Sequence, residues 1–109
     1  KVLGENRIDL LYLDSLDLDL SHPIACAEHC LQEFINAKDL LAPNGLVIVD
    51  DTPNSIDFFA EKDHQKVSDF FQEYGTLPGK GALVILWLKE NPNQYEILFH
   101  NYQLCLKKR

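Results

Sequence analysis

The chain has 109 residues, of which 46% are hydrophobic and 25% charged, and its formal net charge is −7 at pH 7. This length supports one small domain with a modest core. The acidic balance argues against nucleic acid as a main partner, because phosphate binding needs clusters of Lys and Arg. No apolar run approaches the roughly 20 residues of a membrane span, and no signal peptide is visible. Together with three cysteines in mostly apolar surroundings, these features predict a cytoplasmic protein with reduced thiols and no membrane partner.

The first predicted strand, Ile8–Leu13, is a short apolar run that ends directly on the carboxylate of Asp14. Residues 1–7 before it are polar and lead into it. Residues 14–21 alternate Asp with Leu, and their three Asp residues predict a loop rather than a longer strand.

A helix is predicted from Ser21 to about Leu41, because Ser can cap a helix and Pro23 is tolerated in the first turn. The Pro and Gly within residues 42–45 stop it. Its apolar face is formed by residues at helical spacing, namely Ile24, Ala27, Leu31, Phe34, Ile35 and Leu41. Cys26 and Cys30 lie about one turn apart, but no second Cys or His pair follows at zinc-site spacing, so both are predicted to pack in the interior.

The second predicted strand, residues 45–51, is rich in Val and Ile and ends on two adjacent carboxylates, Asp50 and Asp51. Strand, helix and strand form a βαβ unit with a right-handed crossover and parallel strands. In open α/β sheets, ligands bind beyond the carboxyl ends of such strands. We therefore expect Asp14, Asp50 and Asp51 to gather in one pocket at that edge of the sheet.

The second half of the chain is predicted to contain a helix, a loop and a β-hairpin. Helical spacing of the apolar residues 67, 70, 71 and 74 places the helix within residues 57–74, whose charged first part is expected to be mobile. Residues 75–81 form the loop. Residues 82–88 and 95–106 are predicted to be the two strands of the hairpin.

These elements and their motifs resemble the C-terminal half of class I S-adenosylmethionine-dependent methyltransferases. The run Leu40-Leu-Ala-Pro-Asn-Gly-Leu-Val-Ile-Val-Asp-Asp51 is similar to that family's L-L-x-P-G-G segment, which leads through a hydrophobic run to Asp-Asp. Residues 12–14 are similar to its fourth strand, and residues 78–88 with the return strand are similar to its sixth and seventh strands. The acids at both strand ends resemble the branch that uses a metal to methylate oxygen atoms of small molecules.

The resemblance implies a Rossmann-like, three-layer αβα fold, of which residues 1–109 would be a single domain forming the C-terminal half. The partial sheet would have about four strands in the spatial order first, second, fourth, third, because the final strand of the family inserts next to the Asp-Asp strand. Three strands would be parallel and the last antiparallel. The sequence begins at Lys1 and reaches a strand of the buried type almost at once. This start also favours the interpretation that the chain is a fragment of a larger protein.

The resemblance further implies S-adenosylmethionine as cofactor of the full-length protein and methyl transfer to a small-molecule acceptor, assisted by a metal. The Gly-rich loop and the ribose-binding acid of the family would precede residue 1, so we expect no cofactor-binding residues here and no activity of this chain alone. The residues Gly79-Lys80-Gly81 are not a substitute, because they lead into a predicted strand rather than a helix.

Asp14, Asp50 and Asp51 are the predicted metal ligands, because carboxylate oxygens suit Mg²⁺ and Ca²⁺. The cation would hold two substrate oxygens and lower the pKa of an acceptor hydroxyl group. Asp14 and Asp50 are favoured over Asp51. The alternative is that Asp51 caps the following turn and that Asp14 is simply hydrated.

His22 is the candidate general base, since it lies at the start of the helix near the pocket edge. An ordinary exposed histidine is the commoner case. Asp17 and Asp19 are secondary candidates for contacts with the metal or the substrate, although loop carboxylates are more often only hydrated.

Two other functions compete with methyl transfer. A phosphoacceptor signalling domain would share the strand that ends on two acids, but the later strand that should end on the phosphoacceptor Asp is missing. A non-catalytic α/β module that docks on a partner is the other alternative. The first strand also predicts a homo-oligomer, because its edge would be uncovered and carries only Asp9 as a charge within the strand.

Overall fold

The computed structural model describes residues 8–14 and 17–109, and residues 1–7 with the predicted polar lead-in lie outside that part. The fold is α/β, with three α-helices and one four-stranded mixed sheet. In chain order the elements are β1 (Ile8–Leu13), α1 (Pro23–Ala37), β2 (Leu41–Val49), α2 (His64–Tyr74), α3 (Ala82–Glu90), β3 (Tyr95–His100) and β4 (Leu104–Lys108). Short 3-10 turns lie at Lys38–Leu40, Ile56–Phe58 and Glu61–Asp63.

The strands lie in the order β1-β2-β4-β3. The return segment lies beside the second strand as predicted, since β4 pairs with β2, but the predicted third strand, residues 82–88, is not part of the sheet. β1 and β2 are parallel, as predicted for the βαβ unit. β4 is antiparallel to both of its neighbours. β1, β2 and β3 therefore point in one direction, and β4 alone runs against them.

The predicted strand over residues 82–88 is wrong, because these residues form helix α3. The run is apolar on all sides, and a short apolar run does not distinguish a buried strand from a buried helix by its periodicity. The return strand predicted over residues 95–106 is instead two strands, β3 and β4, joined at residues 101–103. The position beside β2 is thus filled by β4, and α3 covers a face of the sheet.

Two boundaries differ from the prediction. α1 ends at Ala37, and β2 already begins at Leu41, so the residues predicted to stop the helix lie within a strand. An irregularity absorbs them, since Ile8 pairs with Leu41 while Leu10 pairs with Leu46. The predicted helix at residues 67–74 is confirmed as part of α2, which ends at Gly75 with a left-handed φ of 77°.

The main core lies between one face of the sheet and the helices α1 and α3. Phe34 of α1 is fully buried, and its ring packs 5.2 Å from that of Trp87 and 5.4 Å from that of Tyr95 between centroids. A second small cluster of Ala27, Phe70 and Ala82 attaches α2 to the other two helices. In the described part of the chain, no helix is long and apolar enough to cross a membrane.

On the opposite face of the sheet, Leu10 and Tyr12 of β1 are 54% and 51% exposed. Their neighbours in β1, Leu11 and Leu13, point into the core. The described helices α1 and α3 thus form one layer on the sheet, and the third layer implied by the resemblance stays a prediction.

Candidate functional site

Three carboxylates lie at the C-terminal ends of the parallel strands β1 and β2. Asp14 follows β1, and Asp50 and Asp51 follow β2. The ends are held in register, because the N–H of Asp50 donates to the carbonyl oxygen of Leu13 at 3.2 Å. Asp51 has a left-handed φ of 45°, an uncommon backbone conformation for a residue with a side chain. The chain thus turns sharply at the point where the acids are presented.

The ammonium group of Lys80 joins two of these carboxylates. Its Nζ lies 2.5 Å from Oδ1 of Asp14 and 3.2 Å from Oδ2 of Asp51. The Lys80 side chain is only 2% exposed, whereas those of Asp14 and Asp51 are 41% and 25% exposed. The buried cation therefore lies behind a partly hydrated acidic edge.

The loop that delivers Lys80 packs directly against the end of β2. The N–H of Lys80 donates to the carbonyl oxygen of Asp51 at 2.9 Å, and the N–H of Gly81 donates to Oγ1 of Thr52 at 3.0 Å. A Cβ atom at Gly79 would lie 2.9 Å from the Asp51 carbonyl oxygen, and one at Gly81 would lie 2.8 Å from Thr52 Oγ1. Glycine on both sides of Lys80 permits this close approach.

The sequence reasoning missed Lys80, which lies 66 residues from Asp14 along the chain. The one local signal was a single lysine between two glycines in a chain with acids at its strand ends. Residues 79–81 also lead into helix α3, which corrects the expectation that a strand follows them. They come from the loop after α2, so the strand-turn-helix context of a dinucleotide-binding loop is still lacking there.

Asp50 has a different set of partners from the other two acids. It accepts hydrogen bonds from the hydroxyl of Tyr12 at 3.0 Å, from Nε2 of Gln103 at 3.2 Å and from the N–H of Asp51 at 2.9 Å. Burial raises the pKa of Asp50, but these hydrogen bonds and the charge of Lys80 together outweigh it, so the pKa is lowered. Asp50 is therefore a carboxylate at neutral pH.

Asp51 also accepts a hydrogen bond from the hydroxyl of Tyr102 at 2.6 Å. The pKa of Tyr102 is raised to about 12, mainly by that hydrogen bond. Burial and the charges of Asp51 and Asp50 add to the increase. Burial lowers the pKa of Lys80, but its hydrogen bonds to Asp14 and Asp51 and their charges outweigh it, so the pKa is raised. Both groups thus hold their protons more tightly in the folded chain than in the unfolded one.

We expect the melting temperature to fall as the pH rises from about 10 toward 12. A group whose pKa is raised by folding stabilises the fold below its unfolded value and loses that contribution as the pH passes its folded value. Thermal melts across this range should show a shallower fall for Tyr102→Phe than for the wild type. In an absorbance titration, the variant should show one tyrosine hydroxyl fewer that ionises at the alkaline end of the range. An unchanged alkaline slope in Tyr102→Phe would mean that the bond to Asp51 contributes nothing to the pH dependence.

The described donor atoms do not fit a divalent cation. Oδ1 of Asp14 and Oδ2 of Asp51 bind the Lys80 ammonium, and both oxygens of Asp50 accept hydrogen bonds from neutral donors. Within residues 8–14 and 17–109, no group of three or more His, Cys, Asp or Glu side chains is placed to hold a metal ion. Asp14 and Asp51 meet at Lys80, whereas Asp50, the favoured partner of Asp14, binds Tyr12 and Gln103. The role of the three acids as metal ligands stays a prediction.

His22, the candidate general base, lies at the start of α1 with its side chain 76% exposed. Its Nδ1 is 3.3 Å from Oδ2 of Asp19, and no described contact joins it to Asp14, Asp50 or Asp51. It occupies the N-cap position predicted for Ser21 but makes no capping hydrogen bond with its side chain. Asp17 is exposed and has no described contact with the cluster either.

The three cysteines, Cys26, Cys30 and Cys105, are free thiols and are buried. Burial is the main reason that the pKa of Cys30 rises to about 12. A thiol of that pKa is almost fully protonated at neutral pH, which makes it a poor nucleophile. The structure therefore supports packing as the role of these residues.

A cavity of about 370 Å³ adjoins the residues that follow Asp51. Its walls include Val67 and Phe71 of α2, Leu77 of the following loop and His100 at the end of β3. Nε2 of His100 lies 2.8 Å from the carbonyl oxygen of Thr52, and because a carbonyl only accepts, Nε2 carries a proton. The edge of the sheet thus combines an acidic cluster with a mainly apolar cavity large enough for a small molecule.

Comparisons of this chain with models of protein families, with curated proteins and with solved structures find no match.

Proposed function

We propose that this chain is the C-terminal half of an S-adenosylmethionine-dependent methyltransferase that methylates an oxygen atom of a small molecule. The observation that carries the proposal is the antiparallel β4, inserted between β2 and β3 in a sheet whose parallel strands end on acids. The resemblance of residues 40–51 to the methyltransferase family implied that the return strand lies beside the strand that ends on Asp50 and Asp51. Because one fold hosts many activities, the order supports the family, and the activity rests on the site.

The site beyond β1 and β2 has features that suit such a reaction. S-adenosylmethionine, when bound, supplies a methyl group on a positively charged sulfur atom. Three carboxylates lie at this edge and one ammonium group contacts two of them, which leaves the edge acidic and favourable to positive charge. The cavity beside His100 offers an apolar space of suitable size for the acceptor.

The described residues do not form a cradle for the cofactor. In residues 8–14 and 17–109, no Gly-rich turn leads from a strand into a helix. We therefore place the cofactor's main contacts in a preceding part of the complete gene product and assign none to this chain.

The 109-residue chain alone is expected to show no methyl transfer and no micromolar binding of S-adenosylmethionine, because the Gly-rich turn is lacking. Titration calorimetry measures the binding, and the complete gene product serves as the comparison, for which binding and transfer of a labelled methyl group are expected. Micromolar binding by the short chain would overturn the fragment account. A complete gene product that neither binds the cofactor nor transfers the label would overturn the function itself.

We also propose that the isolated chain forms a homodimer through β1. In the described sheet β1 pairs only with β2, so its other edge is unpaired. Leu10 and Tyr12 beside that edge are more than half exposed. An open, largely uncharged edge strand readily pairs with another chain. The same exposure favours the second candidate function, a non-catalytic module that docks on a partner protein.

A further inference from the structure

The position between Asp14 and Asp51 is where a cation would bridge the ends of β1 and β2. Calcium binds carboxylate oxygens at 2.3–2.6 Å and magnesium at 2.0–2.1 Å, in both cases with several oxygens around one centre. Here Nζ of Lys80 lies 2.5 Å from one carboxylate and 3.2 Å from the other. One ammonium group thus contacts the same two side chains that a bridging metal ion would bind.

The surrounding packing holds Lys80 in this position. The N–H of Lys80 donates to the carbonyl oxygen of Asp51, and the N–H of Gly81 donates to Oγ1 of Thr52, just after the end of β2. The lysine side chain is 2% exposed, so it cannot swing into solvent without movement of the loop. The buried ammonium group is satisfied by its contacts with two carboxylates, at 2.5 Å and 3.2 Å.

We propose that Lys80 is the permanent cation of this site and takes the place of a divalent metal ion between Asp14 and Asp51. Lys80 is a positioning residue, since it holds the two carboxylates in a fixed arrangement beside the ligand-binding edge. For catalysis the inference rests on the proposed function, because it replaces the metal assistance implied by the methyltransferase resemblance with a group of the chain itself.

The test compares Ca²⁺ binding by the wild type and by Lys80→Met, which keeps most of the side-chain volume but removes the charge. The wild type is expected to show no heat of binding and no rise in melting temperature with millimolar Ca²⁺, relative to KCl at matched ionic strength. Lys80→Met is expected to bind Ca²⁺ with a dissociation constant of roughly 10⁻⁴–10⁻³ M, as for weak calcium sites. Lys80→Met combined with Asp14→Asn is the matched control and should lose that binding.

Three outcomes overturn the inference. If the wild type binds Ca²⁺ and Asp14→Asn abolishes the binding, a metal ion displaces Lys80. If neither the wild type nor Lys80→Met binds, the two carboxylates do not form a cation site. Lys80→Met could be unfolded in the absence of Ca²⁺. In that case, folding of the variant when Ca²⁺ is added supports the site, and failure of the variant to fold with Ca²⁺ counts against it. These measurements need neither cofactor nor acceptor, so they stand apart from any failure of the proposed methyl transfer.

Discussion

Replacing Phe34 by alanine is expected to lower the free energy of unfolding by about 3–5 kcal/mol. Such a loss is a large fraction of the stability of an ordinary domain. Phe34 is fully buried, and its ring packs edge-on against Trp87 of α3 and tilted against Tyr95 of β3. One side chain therefore connects the first helix, the third helix and an edge strand, and its removal leaves a cavity at their junction.

Phe71→Ala is the matched control, since Phe71 lies on α2 and is 48% exposed. It should cost less than about 1 kcal/mol, because much of its surface is already in water. Urea unfolding followed by circular dichroism and by the fluorescence of Trp87 measures both variants. Equal losses in the two variants would be inconsistent with a core centred on Phe34 and with the packing of α3 as a helix.

The isolated chain is expected to have twice the monomer mass in solution at about 100 µM, a concentration at which open strand edges associate. Light scattering or sedimentation equilibrium gives the mass. Leu10→Lys should yield a monomer, because a lysine beside an edge strand is a common guard against pairing. Leu10 is 54% exposed, so the substitution should disturb the monomer fold little.

Leu98→Lys tests which edge is used. Leu98 lies on β3, at the other edge of the sheet, and is 45% exposed. This variant should remain a dimer. A monomeric wild type would contradict the proposed association, and a dimer disrupted only by Leu98→Lys would assign the interface to β3 instead of β1.

Much of the first half of this fold was predictable from local patterns. β1 and β2 are apolar runs of strand length, and α1 has apolar residues at helical spacing with Pro23 in its first turn. Adjacent strands joined by a helical crossover are normally parallel, and parallel strands bring their C-terminal residues to one edge. For that reason the position of Asp14, Asp50 and Asp51 at one edge of the sheet could be predicted without coordinates.

The sequence by itself thus determined the βαβ unit, the acids at the ends of its strands and, through the resemblance, the place of the return segment beside the second strand. Only the tertiary structure decided the rest. Residues 82–88 could be strand or helix by pattern, and they are helical because β4 fills the position beside β2 while the apolar face of the sheet needs cover. Lys80 meets Asp14 across 66 residues of chain, through a close approach of backbones that only a packed loop defines. A local pattern reports periodicity and turns, whereas the partner of a buried charge is set by which distant segments pack together.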